Sequence, residues 1–64
     1  MEAQAYSDGL LRIFDKNGKK ICDMEFSPSL KREADKQLHK LKLYRRGKWK
    51  DCEWGSYARI QFRG

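Results

Sequence analysis

One short segment of the sequence combines cationic and aromatic side chains at close spacing. It runs from Tyr44 to Lys50 in the order Tyr-Arg-Arg-Gly-Lys-Trp-Lys, and Trp54, Tyr57 and Arg59 follow it. Lysine and arginine side chains bind phosphate groups, and flat aromatic rings stack on exposed nucleobases. The combination is typical of surfaces that bind nucleic acids, above all single strands and RNA.

Basic residues extend this segment towards the N-terminus. Between Lys36 and Lys50 the sequence holds seven lysine and arginine residues and no acidic residue, and the whole chain has a formal net charge of +6. Because like charges within one segment repel one another, an anionic partner that neutralises them is bound favourably. The residues that we predict to contact such a partner are Lys36, Lys40, Lys42, Tyr44, Arg45, Arg46, Lys48, Trp49, Lys50 and Arg59.

The two tryptophans are predicted to have different roles. A chain this short, with few large side chains, is expected to bury at least one of them. We therefore expect Trp54 to lie in the core and Trp49 to form an exposed platform for stacking.

The residue types that catalysis and metal binding require are sparse. Cys22 and Cys52 are separated by 29 residues and His39 is the only other soft ligand, so the four ligands of a structural zinc site are missing. No pair of carboxylates, glycine-rich phosphate loop or serine nucleophile with a placed histidine is recognisable. We expect no enzymatic activity, no metal and no cofactor. We also expect two reduced thiols, although a disulfide between two strands is a geometric possibility.

The composition describes one small, polar domain spanning residues 1–64. Hydrophobic residues make up 39% of the chain and charged residues 38%, and the mean hydropathy is −0.98. No apolar run approaches the ~20 residues that cross a bilayer, and no leader resembles a secretory signal. We therefore expect a cytoplasmic protein with no membrane partner. So small a core favours surface recognition over an enclosed substrate cavity.

Two apolar runs near the N-terminus flank a turn sequence. They span residues 10–14 and 20–26, on either side of Asn17 and Gly18. Asn-Gly accepts positive φ readily, so this arrangement predicts a β-hairpin. Residues 1–9 have little apolar content, which predicts a loosely ordered N-terminal segment.

A helix is predicted to follow the hairpin. Ser27 is a suitable N-cap and Pro28 a suitable first helical residue. The apolar stripe of the helix consists of Leu30, Ala34, Leu38 and Leu41, at spacings of four, four and three residues.

The C-terminal end of the helix has two interpretations. The helix ends near Leu43 or continues to a cap at Gly47, because no helix breaker precedes that glycine. Alternatively, residues 40–44 form a strand, and a tight turn at residues 46–47 places Tyr44 opposite Trp49.

The C-terminal part alternates between apolar and polar residues. Residues 57–62 are predicted to form a strand, and residues 49–54 a second one. The complete pattern is β-β-α-β-β, or β-β-α-β if residues 48–54 are irregular. This is an α+β fold, in which one amphipathic helix packs on one face of a small antiparallel sheet. The other face is open to solvent or to a partner.

Two functions are consistent with these patterns. The first is binding of nucleic acid, of unknown type, through the basic and aromatic segment and the open sheet face. The second is a small protein-binding regulator or inhibitor, such as an accessory protein of a mobile element, that docks on an acidic protein surface. We favour nucleic acid because the basic residues occur without interspersed acids.

Overall fold

Six antiparallel strands and one helix form within residues 1–27 and 31–62, which the computed structural model describes. In chain order they are β1 (Glu2–Tyr6), β2 (Leu10–Phe14), β3 (Lys20–Glu25), α1 (Lys31–Lys40), β4 (Leu43–Arg45), β5 (Lys50–Cys52) and β6 (Gly55–Phe62). The order across the sheet is β3-β2-β1-β6-β4, and β5 also pairs with β6. The predicted α+β class, with one helix on an antiparallel sheet, is confirmed.

The N-terminal segment forms a central strand. β1 pairs with β2 on one side and with β6 on the other, and Ala3 is fully buried. The expectation that residues 1–9 are loosely ordered is therefore wrong for Glu2–Tyr6. Ala3 and Ala5 alternate with polar neighbours, but alanine adds little apolar area, so this alternation is a weak signal in the sequence.

The helix α1 covers one face of the sheet. The core consists of Ala3, Ala5, Leu11, Ile13, Ala34, Leu38, Leu43 and Ile60. The predicted apolar stripe is confirmed for Ala34 and Leu38, whereas Leu41 is 40% exposed because the helix ends one residue before it. The predicted helix start at Pro28, and Leu30 of the stripe, lie outside the described residues. No helix in the described part of the chain is long and apolar enough to cross a membrane.

The helix ends before both predicted positions, Leu43 and Gly47. In the alternative interpretation the strand is confirmed for Leu43 and Tyr44, whereas the tight turn and its pairing are wrong. The helix ends at Lys40, and Lys42, with a φ of 61°, turns the chain into β4. The strands β4 and β5 do not pair with each other, because both lie along the same edge of β6. Tyr44 is consequently level with Gln61 and not with Trp49.

A bulge separates β4 from β5. The amide of Arg46 donates to the carbonyl oxygen of Arg59 at 2.8 Å, and Lys50 is level with Tyr57. Gly47, Lys48 and Trp49 therefore stand opposite Ala58 alone. Such a bulge bends its strand and re-aims its side chains.

Two tight connections join neighbouring strands of the sheet, one between β2 and β3 and one between β5 and β6. The hairpin across Asn17 and Gly18 is confirmed, and Gly18 has the expected positive φ of 81°. Between β5 and β6 only Glu53 and Trp54 intervene, and Gly55 follows with a φ of 149°. A Cβ atom at Gly55 would lie 2.0 Å from the carbonyl oxygen of Ala5, so only glycine fits. This close approach brings Trp54 beside β1.

The two cysteines lie on separate strands of the sheet. Cys22 is on β3 and Cys52 is on β5, and β2, β1 and β6 lie between these strands. Four strand spacings amount to roughly 19 Å. A disulfide needs Cα atoms within about 7 Å, so the possibility of an intrachain disulfide is excluded.

Both thiols should therefore be free, and Cys22 should react the more slowly with iodoacetamide at neutral pH. Burial, with a contribution from Asp23, raises the pKa of the Cys22 thiol, which lowers its thiolate fraction. Peptide mapping after timed alkylation measures the two rates. A Cys22 that is modified before Cys52, or a peptide pair linked through both, would contradict this arrangement.

Candidate functional site

A shallow groove lies along β6 and the bulge, on the open face, which is the sheet face that α1 leaves uncovered. It has a volume of about 460 Å³. The side chains that define it are Arg46, Lys48, Lys50, Tyr57, Arg59 and Glu2. We call this site the cationic groove, because four cations and one carboxylate line it.

Two arginines of the cationic groove are cross-strand neighbours. Arg46 and Arg59 are joined by their backbone hydrogen bond, and Glu2 flanks Arg59 from β1. Like charges directly opposite each other destabilise a sheet. Among the residues that the structure describes, no carboxylate forms an ion pair with any cation of the groove. The groove therefore concentrates positive charge, which Glu2 offsets in part without forming an ion pair.

Three aromatic rings adjoin the groove on the open face. The ring centroids of Tyr6 and Trp54 are 4.7 Å apart, and those of Trp54 and Tyr57 are 6.3 Å apart. The guanidinium carbon of Arg12 lies 5.0 Å from the centroid of the Tyr6 ring. We call Tyr6, Trp54, Tyr57 and Arg12 the aromatic platform. Tyr57 belongs to both the platform and the groove, so the two form one surface.

Hydrogen bonds along β1 orient the platform. The hydroxyl of Tyr6 donates to Oε1 of Gln4, and Nε2 of Gln4 donates to Oε2 of Glu2 at 2.7 Å. These side chains alternate with the buried Ala3 and Ala5, so all three project from the open face. Because the chain of bonds fixes Tyr6 in the free protein, less ordering is required when a ligand binds.

Arg45 and Trp49, which we predicted to contact a partner, are held by Asp35 of α1. Oδ1 of Asp35 accepts hydrogen bonds from Nε of Arg45 at 2.7 Å and from Nε1 of Trp49 at 3.0 Å. A further Arg45 nitrogen donates to the carbonyl oxygen of Gly47 at 2.7 Å. This cluster ties the bulge to the helix and leaves the Arg45 guanidinium engaged.

The predicted burial of the two tryptophans is reversed. Trp49 is half-buried and packs against the core, whereas Trp54 is 37% exposed on the aromatic platform. The bulge directs Trp49 towards Asp35 on the helix side, and the tight connection at Gly55 holds Trp54 on the open side. Neither the bulge nor the connection has a distinctive signal in the sequence.

The predicted contact residues fall into two groups. Arg46, Lys48, Lys50 and Arg59 come together in the cationic groove. The others lie on α1 or on the segment after it: Lys36, Lys40, Lys42, Tyr44, Arg45 and Trp49. Of these, Lys36 is 3.4 Å from a carboxylate oxygen of Glu33, and the ring of Tyr44 is 4.8 Å from that of His39.

Sequence reasoning missed Tyr6, Arg12, Trp54 and Tyr57 as site residues. Tyr6 and Arg12 lie on strands whose polar positions alternate with buried ones, and this alternation is the available signal. It identifies the face on which a side chain lies but does not show that the rings of β1 and β6 meet. Their contact depends on the pairing of the first strand with the last, which is long-range.

Comparison with known proteins finds no match to this chain. No protein-family model matches the chain, and no curated protein or solved structure matches it either. Within residues 1–27 and 31–62, no group of three histidine, cysteine or carboxylate side chains is placed to hold a metal ion. Among the described residues, the cationic groove and the aromatic platform are the surface features suited to binding a ligand.

Proposed function

We propose that this protein binds nucleic acid through the cationic groove. The observation that carries this proposal is the meeting of Arg46, Arg59, Lys48 and Lys50 on the open face without ion-pair partners in the described chain. A phosphodiester backbone supplies regularly spaced negative charges that relieve the repulsion between these cations. Displacement of its condensed counterions adds a favourable entropy to binding.

The aromatic platform favours nucleic acid over an acidic protein surface. Its rings adjoin the groove through Tyr57, so a ligand that presents phosphates and flat bases side by side matches both parts. An acidic protein patch pairs with the cations but offers no flat ring system to Trp54, which is 37% exposed. Docking on a protein remains the second candidate, and the binding experiment separates the two.

The experiment is a fluorescence anisotropy titration of labelled DNA and RNA, single-stranded and duplex, from about 50 to about 200 mM salt. Each phosphate contact contributes about 0.7 to the log-log salt slope on a single strand and about 0.9 on a duplex. Four groove cations therefore predict a slope of roughly 3 to 4. Absence of salt-dependent binding to every nucleic acid at low salt would refute the proposal and leave the acidic protein partner.

Replacing Glu2 with glutamine should strengthen nucleic-acid binding. Glu2 is the carboxylate in the lining of the groove and is level with Arg59. Loss of its charge should raise affinity at low salt by about two- to fivefold, because one exposed charge at short range is worth about 1 kcal/mol or less. The amide oxygen of a glutamine side chain still accepts the hydrogen bond from Gln4.

The matched control is Glu25→Gln, which removes the same charge from β3, at the other edge of the sheet. Its effect on affinity should be clearly smaller than that of Glu2→Gln. Equal gains from the two variants would show that net charge, and not the groove, governs binding.

A further inference from the structure

We infer that the ligand of this surface is single-stranded and that its unpaired bases stack on Trp54 and Tyr57. This inference rests on the proposed function and specifies the class of nucleic acid. In a duplex the base faces are stacked on one another and are not available to aromatic side chains. In a single strand they are exposed, and stacking on aromatic rings is the usual mode of sequence-tolerant recognition.

The aromatic rings lie close to the cations of the groove. Lys50 is level with Tyr57 on the neighbouring strand, and Tyr57 itself lines the cationic groove. Trp54 lies 6.3 Å from Tyr57 between ring centroids. A strand whose phosphates lie on the groove cations therefore has its bases within reach of both rings.

Trp54 is exposed to solvent on the aromatic platform. Its side chain is 37% exposed, although the core of this small domain is built from alanine, leucine and isoleucine and has no tryptophan among its fully buried side chains. An aromatic side chain that stays in water does not contribute the free energy of its burial to folding. An exposed ring beside other rings therefore indicates an interaction site. The glycine at residue 55 and the carbonyl oxygen of Ala5 fix the connection that holds it there.

Tyr6 and Arg12 extend the aromatic platform beyond Trp54. The Tyr6 ring follows Trp54 at 4.7 Å, and the Arg12 guanidinium lies over Tyr6. Arg12 Nε is 3.6 Å from Oδ1 of Asp23 and has no hydrogen-bond partner in the described part of the chain. Planar guanidinium groups also stack on bases. Sheet faces with exposed rings stack about two or three bases in other RNA-binding domains, which sets the expected length of the contact.

The experiment compares Trp54→Ala with the parent on an oligothymidine strand and on a blunt duplex of the same length. We expect the alanine variant to lose about 5- to 150-fold in affinity for the single strand, the range measured for one base stacked on one ring. Its affinity for the duplex should change by less than about twofold, and its salt slope should stay the same, because no phosphate contact is removed. Trp54→Phe should recover most of the lost affinity, since a ring is restored.

Phe62→Ala is the matched control. Phe62 is 60% exposed and lies five residues beyond Tyr57 on β6, away from the platform. Its loss should change neither affinity. Equal losses on single strand and duplex in Trp54→Ala, or no loss on the single strand, would overturn the inference while leaving salt-dependent binding intact. If the parent binds no nucleic acid at all, it is the proposed function that fails.

Thermal unfolding of Trp54→Ala by circular dichroism guards against a loss of structure. If this variant unfolds, Trp54→Leu provides the test, because leucine keeps apolar bulk beside Tyr6 but presents no ring. We then expect Trp54→Leu to lose single-strand affinity as the alanine variant would. Single-strand affinity equal to that of the parent in Trp54→Leu would overturn the inference.

Discussion

Replacing Leu38 with alanine should lower the free energy of unfolding by about 2–5 kcal/mol. Leu38 is fully buried and lies on the face of α1 that packs against the sheet. Truncation removes apolar contacts and leaves a cavity that the surrounding backbone only partly fills. Because a chain of this size has a total stability of about 3–10 kcal/mol, this loss is a large fraction of the total, and the variant should unfold at a clearly lower urea concentration than the parent.

Leu41→Ala is the control for this prediction. It deletes the same atoms from a side chain that is 40% exposed, just beyond the end of the helix. Its cost should stay below about 1 kcal/mol, because exposed apolar side chains lose little on truncation. Urea unfolding followed by circular dichroism measures both. Similar midpoints for the two variants would show that α1 does not cover the sheet through this face.

Removing the two opposing arginines should have the largest effect on binding. At about 50 mM salt, Arg46→Ala combined with Arg59→Ala should weaken nucleic-acid binding roughly 100-fold and reduce the salt slope by about 1.4 to 1.8. The reason is that each lost phosphate contact forfeits its share of counterion release. Folding should be preserved, because the change also removes like charges that face each other across the ladder.

The control removes an equal charge from the helix side. Lys36→Ala combined with Lys40→Ala leaves the net charge identical to that of the arginine variant, but these lysines lie on α1, across the sheet from the groove. Affinity should fall by less than about threefold, because the two lysines contribute only a long-range attraction that salt screens. Equal losses in the two double variants would indicate diffuse electrostatic attraction without a defined site.

Local patterns in this sequence predicted the elements that they specify directly. The Asn17-Gly18 turn, the Ala34 and Leu38 stripe, and the alternation along β6 each arise from short-range periodicity or turn chemistry. These signals sufficed for the fold class. They were also sufficient to place Arg59 on the polar face of its strand.

Long-range pairing explains what the patterns did not reveal. The central place of β1 depends on its pairing with β6, about 50 residues later in the chain. The half-buried position of Trp49 depends on the bulge at residues 47–49 and on Asp35 of α1, which accepts hydrogen bonds from Arg45 and Trp49. Composition identified the basic segment but did not divide it between groove and helix, because that division is set by tertiary contacts.

We propose that the open face, and not the helix side, contacts nucleic acid. The two indole Nε1–H groups report on these two sides within one protein. Trp54 belongs to the aromatic platform, whereas the indole of Trp49 donates to Asp35 at 3.0 Å on the helix side. Each gives its own resonance in a proton-nitrogen correlation spectrum, and Trp54→Phe assigns them by loss of one signal.

The decisive measurement is the titration of the labelled protein with oligothymidine at low salt. We predict that the Trp54 indole resonance and the backbone amides of Tyr57 and Arg59 shift, while the Trp49 indole and the amides of α1 keep their positions. Shifts confined to the Trp49 indole and to Lys36 and Lys40 of α1 would contradict the account, as would a spectrum that oligothymidine leaves unchanged.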